Sequence, residues 1–430
     1  MASTWGSAVA DEERQEPGDA VARKAAVLAE RVRESKHFLV FTGAGISTSA
    51  GIPDFRGPEG AWTRLAQGRQ PKGKANMTLT ALPTPTHMAL VALQERGLLK
   101  YLVSQNCDGL HRRSGILPEL ISELHGNSNR EYCKDCGKEY IRDQDFRAVA
   151  NYEKTVFDHR TGRKCADCDG DLHDTIINFG EYLPEQPLER ARDHAKKADL
   201  CLVLGSSLTV PPACTIPETV GKRKGVRGRK APQLSICNLQ ATDKDGLCAP
   251  GLRIHAKTDD LMIQIMANLD IPIPEFILRR RLTVEIKTLE AERHQATLMG
   301  VDVDGTPVTF LRSVRLEGTR RPVTTEPYVL NHRGILDPGA VLGFELDFMG
   351  HYGEPNLELS HEHRGAADAS ATYLLEYNPR TGTWETTRLD MAAGGEQAVG
   401  SATDAAPKTV TVPRLEKPVF DFTDDEESML

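Results

Sequence analysis

The stretch His37-Phe38-Leu39-Val40-Phe41-Thr42-Gly43-Ala44-Gly45-Ile46-Ser47 decides how the rest of the chain is read. Five apolar or aromatic residues, too few for a helix, run straight into a glycine-rich turn. A short apolar run of that kind is a buried strand, and the glycines let the chain turn tightly at its carboxyl end. In front of it, Val21, Ala25, Leu28 and Val32 recur at helical spacing from about Asp19 to Ser35. Behind it, Tyr101–Ser104, Leu200–Leu204 and Gln233–Cys237 are further short, partly β-branched apolar runs with helical stretches between them. Strands alternating with helices imply an α/β unit, a Rossmann-like parallel sheet covered on both faces. Thr258–Leu269 is the last helix of this unit, with Thr258 or Asp259 expected as its N-cap.

Two segments interrupt the alternation. Residues 57–98 read as a helical, loop-rich insertion. Residues 131–172 hold few long apolar runs and two CxxC pairs. Both are expected to form a smaller second domain within a unit spanning residues 26–270. Beyond Ile271-Pro272-Ile273-Pro274 the pattern changes to alternating runs broken by turn signals such as Asp304-Gly305 and Gly353-Glu354-Pro355. Residues 276–390 therefore read as an all-β module, a sandwich being the natural form. Residues 1–25 and 391–430 read as acidic, disordered tails.

Charge follows the same division. The chain carries −8 overall, but −4 falls on residues 1–20, +6 on residues 21–270 and −10 on residues 271–430. A mildly acidic average thus hides a basic middle, and the total alone argues against a nucleic-acid or histone partner. No window approaches 18 uninterrupted apolar residues, so no membrane-spanning helix is expected. The first twenty residues lack an apolar core and are acidic, so neither a secretory signal nor a mitochondrial presequence is expected.

Four loops carry the chemistry. Gly43-Ala44-Gly45 lets backbone N–H groups approach a pyrophosphate, although a strand-to-helix turn without a ligand needs the same glycines. The turn continues into Gly51-Ile52-Pro53-Asp54-Phe55-Arg56-Gly57, which adds an acid, an aromatic ring and a cation. Ser104-Gln105-Asn106-Cys107-Asp108-Gly109, Gly205-Ser206-Ser207-Leu208 and Asn238-Leu239-Gln240 each follow a strand. Ligands of open α/β sheets bind beyond the carboxyl ends of strands, so four polar or glycine-rich strand ends point to one site. Cys133-Lys134-Asp135-Cys136 and Cys165-Ala166-Asp167-Cys168 supply four thiolates, a closed tetrahedral set expected to hold one structural zinc ion. The 28 residues between the pairs require a longer connection than a common zinc ribbon. His125-Gly126 lies where the sheet unit meets the cysteine module. A lone histidine is usually structural, but one beside a cleft suits general-base work near neutral pH. The basic run Lys222–Lys230 reads as a solvated loop, a nuclear-import signal or a nucleic-acid or chromatin contact.

Taken in order, these motifs over residues 26–270 resemble the sirtuin family of NAD-dependent protein deacylases. Arg56-Gly57-Pro58-Glu59-Gly60-Ala61-Trp62-Thr63 resembles its nuclear subclass containing human sirtuins six and seven. The second CxxC and Thr161-Gly162-Arg163 are closer to the seventh. The resemblance does not extend to the β module. It implies that Gly43, Ala44, Gly45, Ser47, Asp54, Phe55, Arg56 and Trp62 hold NAD around its nicotinamide and ribose. Gln105, Asn106 and Asp108 would line the nicotinamide pocket, with Asn106 and Asp108 also catalytic. Gly205, Ser206, Ser207, Asn238, Leu239, Gln240 and Thr258 would hold the adenosine half. His125 would be the general base. Asn178, Phe179, Gly180 and Glu181 would pair with the peptide backbone as an added strand. The implied reaction moves an acyl group from lysine to ADP-ribose and releases nicotinamide. Acylated lysine proteins, histones among them, would be the partners, and the nucleus the compartment. Mono-ADP-ribosyl transfer from the same site and a non-catalytic NAD-binding scaffold remain as alternatives.

Overall fold

The computed structural model describes residues 12–70, 77–143, 158–225, 230–365, 370–392 and 395–398. In chain order the strands are β1 (Phe38–Thr42), β2 (Leu99–Ser104), β3 (Ile121–Glu123), β4 (Arg130–Cys133), β5 (Glu139–Arg142), β6 (Arg160–Lys164) and β7 (Asp171–Asp174). There follow β8 (Leu200–Leu204), β9 (Gln233–Cys237) and β10 (Arg253–Ile254). The C-terminal region contributes β11 (Leu278–Glu290), β12 (Arg293–Val301), β13 (Val308–Thr309), β14 (Leu311–Leu316), β15 (Tyr328–Arg333), β16 (Val341–Phe348), β17 (Leu357–Glu362), β18 (Ser370–Asn378), β19 (Thr383–Ala392) and β20 (Gly395–Ala398).

The first sheet is parallel, in the order β10-β9-β8-β1-β2-β3. The four strands expected from sequence are there. β3 and β10, three and two residues long, are too short to leave a periodic signal. Side chains alternate across each strand. Phe38 and Val40 face one apolar layer with helices Gly18–Glu34, Pro85–Glu95 and Thr258–Leu269. Leu39 and Phe41 face the other, with helices Glu185–Lys197 and Thr215–Lys222. A fully buried leucine or phenylalanine contributes about 1.5–3 kcal/mol, so this two-sided core fixes where each strand ends.

Four expectations change. Residues 14–25 are not a tail: Arg14 N–H donates to Leu239 O, Glu16 pairs with Lys24, and the helix starting at Gly18 buries Val21 and Ala25. Within the 57–98 insertion, helix Pro85–Glu95 covers the main sheet, because its apolar residues are buried all round. Thr84 caps it by accepting from His87 N–H, and Pro85 stands at its first turn, where a missing N–H costs nothing. Thr258 is not an N-cap: Lys257 is, with no side-chain cap, and Thr258 is buried as the first helical residue. Met391–Ala392 end β19 and Gly395–Ala398 form β20, so the expected tail from Met391 opens with strand; residues 1–11 and 399–430 lie outside the described residues.

The C-terminal region is antiparallel, with one sheet of six strands (β15-β12-β11-β18-β19-β20) and one of three (β14-β16-β17). Leu282, Val284 and Ile286 of β11 meet Leu342, Phe344, Leu346 and Phe348 of β16 in one core, which is a sandwich. Between the sheets' strands, β13 leaves the sandwich and pairs parallel with β5 in the cysteine module. The resulting sheet runs β13-β5-β4-β7-β6. Gly300 of β12 permits this, since a Cβ there would run into Val308 O and the Phe310 ring. Asp143 fastens the same seam: its N–H donates to Thr309 O at 2.7 Å and Arg280 donates to its carboxylate at 2.9 Å.

Candidate functional site

In the main sheet the chain runs from β1 outward through β2 and β3, then returns to β8 on the other flank of β1. The β1 and β8 carboxyl ends therefore form a topological switch point, where open α/β sheets bind ligands. The two loops are locked together. Gly43 N–H donates to Leu204 O at 3.0 Å and Gly45 N–H to Gly205 O at 2.9 Å. A Cβ on Gly43 would sit 2.7 Å from Gly205 O, and one on Gly45 would sit 2.7 Å from Gly205 Cα. The glycines are needed for this backbone approach, which explains the motif better than a generic turn.

The third loop joins at the same edge. Asn106 Nδ2 donates to Gly43 O at 3.1 Å, and Ser47 Oγ donates to Asp108 Oδ2 at 2.7 Å. Asp108 Oδ1 accepts from Leu110 N–H, so one carboxylate ties the β1 loop to the helix that follows β2. Ser206 Oγ donates to Gln105 Oε1 at 2.7 Å, linking the β8 loop to the β2 loop. Ser47, Asn106, Asp108, Ser206 and Gln240 are all buried, a dense polar set in the loops at one edge of the sheet.

The fourth loop and the 51–63 segment close the group. Gln240 Nε2 donates to Arg56 O at 3.4 Å, and Arg56 Nη1 lies 3.5 Å from Ser207 Oγ. Ala44 opens a short 3-10 turn, and Phe55 is exposed. Asp54 accepts from Gly57 N–H at 3.0 Å, and burial raises its carboxyl above the usual range, so it shapes this turn. Asn238 Nδ2 donates to Gln240 O, and Leu239 O accepts from His255 and from Arg14 N–H. Thr258 lies deeper, its hydroxyl 3.2 Å from that of Thr86. The backbone of Trp62 is in helix Ala61–Ala66.

His125 follows β3. Its Nδ1 lies 3.1 Å from Gln105 O; a carbonyl can only accept, so Nδ1 carries the proton and Nε2 is the basic nitrogen. Burial pushes the imidazole below its ordinary value, against the opposing hydrogen bond to Gln105, so it is neutral near pH 7. Gly126, at φ 82°, packs against the Thr175 carbonyl, and Ile177 N–H donates to His125 O at 3.2 Å. The 177–181 segment is thereby hung on the histidine loop. It is not an extended strand throughout: Glu181 N–H donates to Asn178 O, Gly180 has φ 92°, and Asn178 N–H donates to Glu181 Oε2 at 2.5 Å. Phe179 is exposed at this turn.

Sequence reading missed the residue that braces this turn. His159 bridges Asp174 (2.8 Å) and Glu181 (2.7 Å). Burial pushes it down, but the bonds to Glu181 and Asp174 outweigh burial and raise it above its ordinary value. No spacing rule links His159 to Glu181, so only the fold reveals the pair. Glu131 was missed likewise. It is fully buried and held by Arg142 (2.7 Å) and Arg163 (2.9 Å).

The four cysteines converge, with all Sγ atoms within 4.8 Å of one another and Cys133 and Cys168 Sγ 3.4 Å apart. A set of four sulfurs with no open position fits one structural zinc ion. Tyr140 OH, 3.3 Å from Cys165 Sγ and accepting from Ala166 N–H, supports the second knuckle. The basic run is partly committed elsewhere: Lys222 pairs with Glu218, and Arg223 donates to the carbonyls of Lys196 and Ala198. Residues 226–229 of that run, and residues 71–76 and 144–157 of the two insertions, lie outside the described residues. Among the described residues no helix is long and apolar enough to cross a membrane.

Comparison with known proteins agrees with the strand-end loops. A family model described as "Sir2 family" matches residues 43–212. The chain is 39% identical over 316 residues to "NAD-dependent protein deacetylase SRT1" of Oryza sativa subsp. indica, covering 72% of this chain and 62% of that protein. It is 44% identical over 259 residues to "NAD-dependent protein deacetylase sirtuin-7" of Homo sapiens, covering 58% and 60%. It is 37% identical over 277 residues to "NAD-dependent protein deacetylase Sirt6" of Drosophila melanogaster, covering 63% and 83%. The chain thus spans about three fifths of the first two relatives' length. The SRT1 match covers more of this chain than residues 1–270 contain, so the likeness continues into the β region, contrary to the expectation that it stops before it. With the switch-point glycines, Asn106, Asp108 and His125 inside or beside one edge, and a relative matched over most of its length, the chain belongs to the Sir2 family.

Proposed function

We propose that this chain is an NAD-dependent protein-lysine deacylase. The observation that carries the reading is the linkage of Gly43, Asn106, Ser206 and the His125 ring through Gln105 at one sheet edge. The close-packed glycine loops and the Arg56 guanidinium suit a pyrophosphate, and the buried amide and carboxylate of Asn106 and Asp108 suit a polar heterocycle. NAD, when bound, supplies an electrophilic ribose with nicotinamide as leaving group. Asn106 and Asp108 would orient the nicotinamide end, with Asp108 itself held by Ser47. Arg56, Ser207, Asn238 and Gln240 would hold the rest of the dinucleotide. His125 Nε2, unprotonated at neutral pH, would take a ribose hydroxyl proton and so permit acyl transfer to that hydroxyl. The oxygen of the lysine amide would take the place of nicotinamide on the anomeric carbon, and with one water consumed the products are free lysine, nicotinamide and O-acyl-ADP-ribose.

The acyl-lysine peptide would lie along Ile177–Glu181, beside the loop that carries His125. Histones and other nuclear proteins are the substrates we favour, supported by likeness to sirtuin-7 and Sirt6; the +6 balance of residues 21–270 suits the DNA backbone of chromatin, not the basic histone itself. The same likeness supports a nuclear location, and Lys224 and Lys230 remain exposed for contact with chromatin. The test is nicotinamide release from NAD with and without an acetyl-lysine histone peptide. Release that depends on the acylated peptide supports the reading; release indifferent to acylation contradicts it.

A further inference from the structure

A cavity of about 360 Å³ lies where the β2–β3 segment, the cysteine module and the sandwich meet, and it shares no lining residue with the proposed NAD contacts. Its size falls in the small-molecule range of ~300–1,000 Å³. Seven arginines line it against two carboxylates, Asp143 and Asp302. Most of these cations are matched: Arg130 by Glu123 and Glu139, Arg142 by Glu131 and Glu326, Arg279 by Glu376, and Arg280 by Asp143.

Two carry donors that no carboxylate takes up. Among the described residues Arg113 donates to neutral groups, the Thr78 and Leu79 carbonyls (2.7 and 3.5 Å), Tyr352 OH (3.1 Å) and Asn129 Oδ1 (3.1 Å). Arg112 has a side chain only 10% exposed; one nitrogen pairs with Asp302, while Nε and Nη1 are buried without a partner among the described residues. A buried guanidinium with two unsatisfied donors is costly unless something accepts from it. Guanidinium forks match phosphate oxygens in pairs.

We propose that this cavity binds a small, multiply phosphorylated anion, with Arg112 as its central ligand and Arg113 beside it. The ligand would bridge three parts of the chain: Arg112 and Arg113 after β2, Arg142 of β5 and Arg280 of β11. It would also touch Gly109 and Asn127, one and two residues from Asp108 and His125, though not those residues themselves. The site is independent of the deacylase reading, since it rests on different residues.

The experiment is calorimetric titration of inorganic tripolyphosphate into the full chain saturated with ADP-ribose, repeated without ADP-ribose. The expected result is one tripolyphosphate per chain under both conditions. Arg112→Gln should weaken binding about tenfold or more, and Asp302→Asn, which removes the competing carboxylate, should tighten it several-fold. Lys224→Gln, on the basic run, should leave it unchanged. Asp302→Asn carries the test if Arg112→Gln does not fold. No binding, binding that responds to neither variant, or binding abolished by ADP-ribose overturns the proposal. Displacement of tripolyphosphate by a short DNA duplex at equal phosphate concentration also overturns it, in favour of a nucleic-acid backbone.

Discussion

His125 Nδ1 is held 3.1 Å from the main-chain oxygen of Gln105, the residue whose side chain accepts from Ser206 at the end of β8, on the far side of β1. One residue therefore sets the histidine tautomer with its backbone and the β8 loop with its amide. A neutral imidazole with a free basic Nε2 follows, and burial lowers its affinity for protons. Deacylation should stay high through the ordinary histidine range near pH 6.5 and fall only as pH drops through the lowered value. His125→Ala should lose roughly 10²–10⁴-fold in kcat with dinucleotide binding retained. A pH–rate profile on both proteins checks this. An acid limb at or above pH 6.5 would contradict the assigned environment.

The cysteine module should depend on its ion. Chelation strong enough to remove zinc, or Cys133→Ser, is expected to lower the melting temperature, because ligand binding stabilises the native state alone. Metal content by atomic absorption and a thermal melt on the same sample decide the matter. An unchanged midpoint after verified metal loss would sink the structural role.

Glu131 has no exposed side-chain surface and two guanidinium partners, Arg142 and Arg163. Burial pushes its carboxyl up, but both arginines hold it below the usual range. Glu131→Gln would remove the buried charge that both guanidiniums share, leaving Arg142 with Glu326 alone. The expected loss is about 3 kcal/mol, read from urea unfolding. A loss near zero would mean that water replaces the carboxylate.

His159 couples the peptide-side turn to pH. Its folded value is raised above 6.5, so the stabilisation it contributes is fully present below that pH and is lost as pH rises through the raised value. The melting-temperature gap between wild type and His159→Ala should therefore be larger at pH 5.5 than at pH 9. A gap that widens with pH would show that charge on His159 is not what holds Glu181.

The sandwich is stitched to the cysteine module through β13, and Gly300 makes room for it. Gly300→Val should destabilise by about 1–3 kcal/mol. Gly18→Ala, where nothing among the described residues lies within 4 Å, serves as control. Equal unfolding midpoints for the two variants would contradict the close packing at Gly300.

What could be read in advance had local causes. β1, β2, β8 and β9 are apolar runs at sheet centre, and the four cysteines announce themselves by spacing. What could not be read depends on partners far apart in the chain. Val308–Thr309 looks like any alternating pair, and only folding brings it beside Ile141 and Arg142. Glu181 and His159, or Glu131 and Arg163, carry no pattern that joins them. Thr84 already holds a capping-box geometry, yet the sheet-covering role of the helix behind it is a matter of tertiary packing.

The most direct measurement of the central claim is mass spectrometry of the nucleotide formed from NAD and an acetyl-lysine histone peptide. The expected product is ADP-ribose carrying the acetyl group, formed in step with free lysine on the peptide, with both lost in His125→Ala. ADP-ribose attached to protein, with the peptide still acetylated, would contradict it.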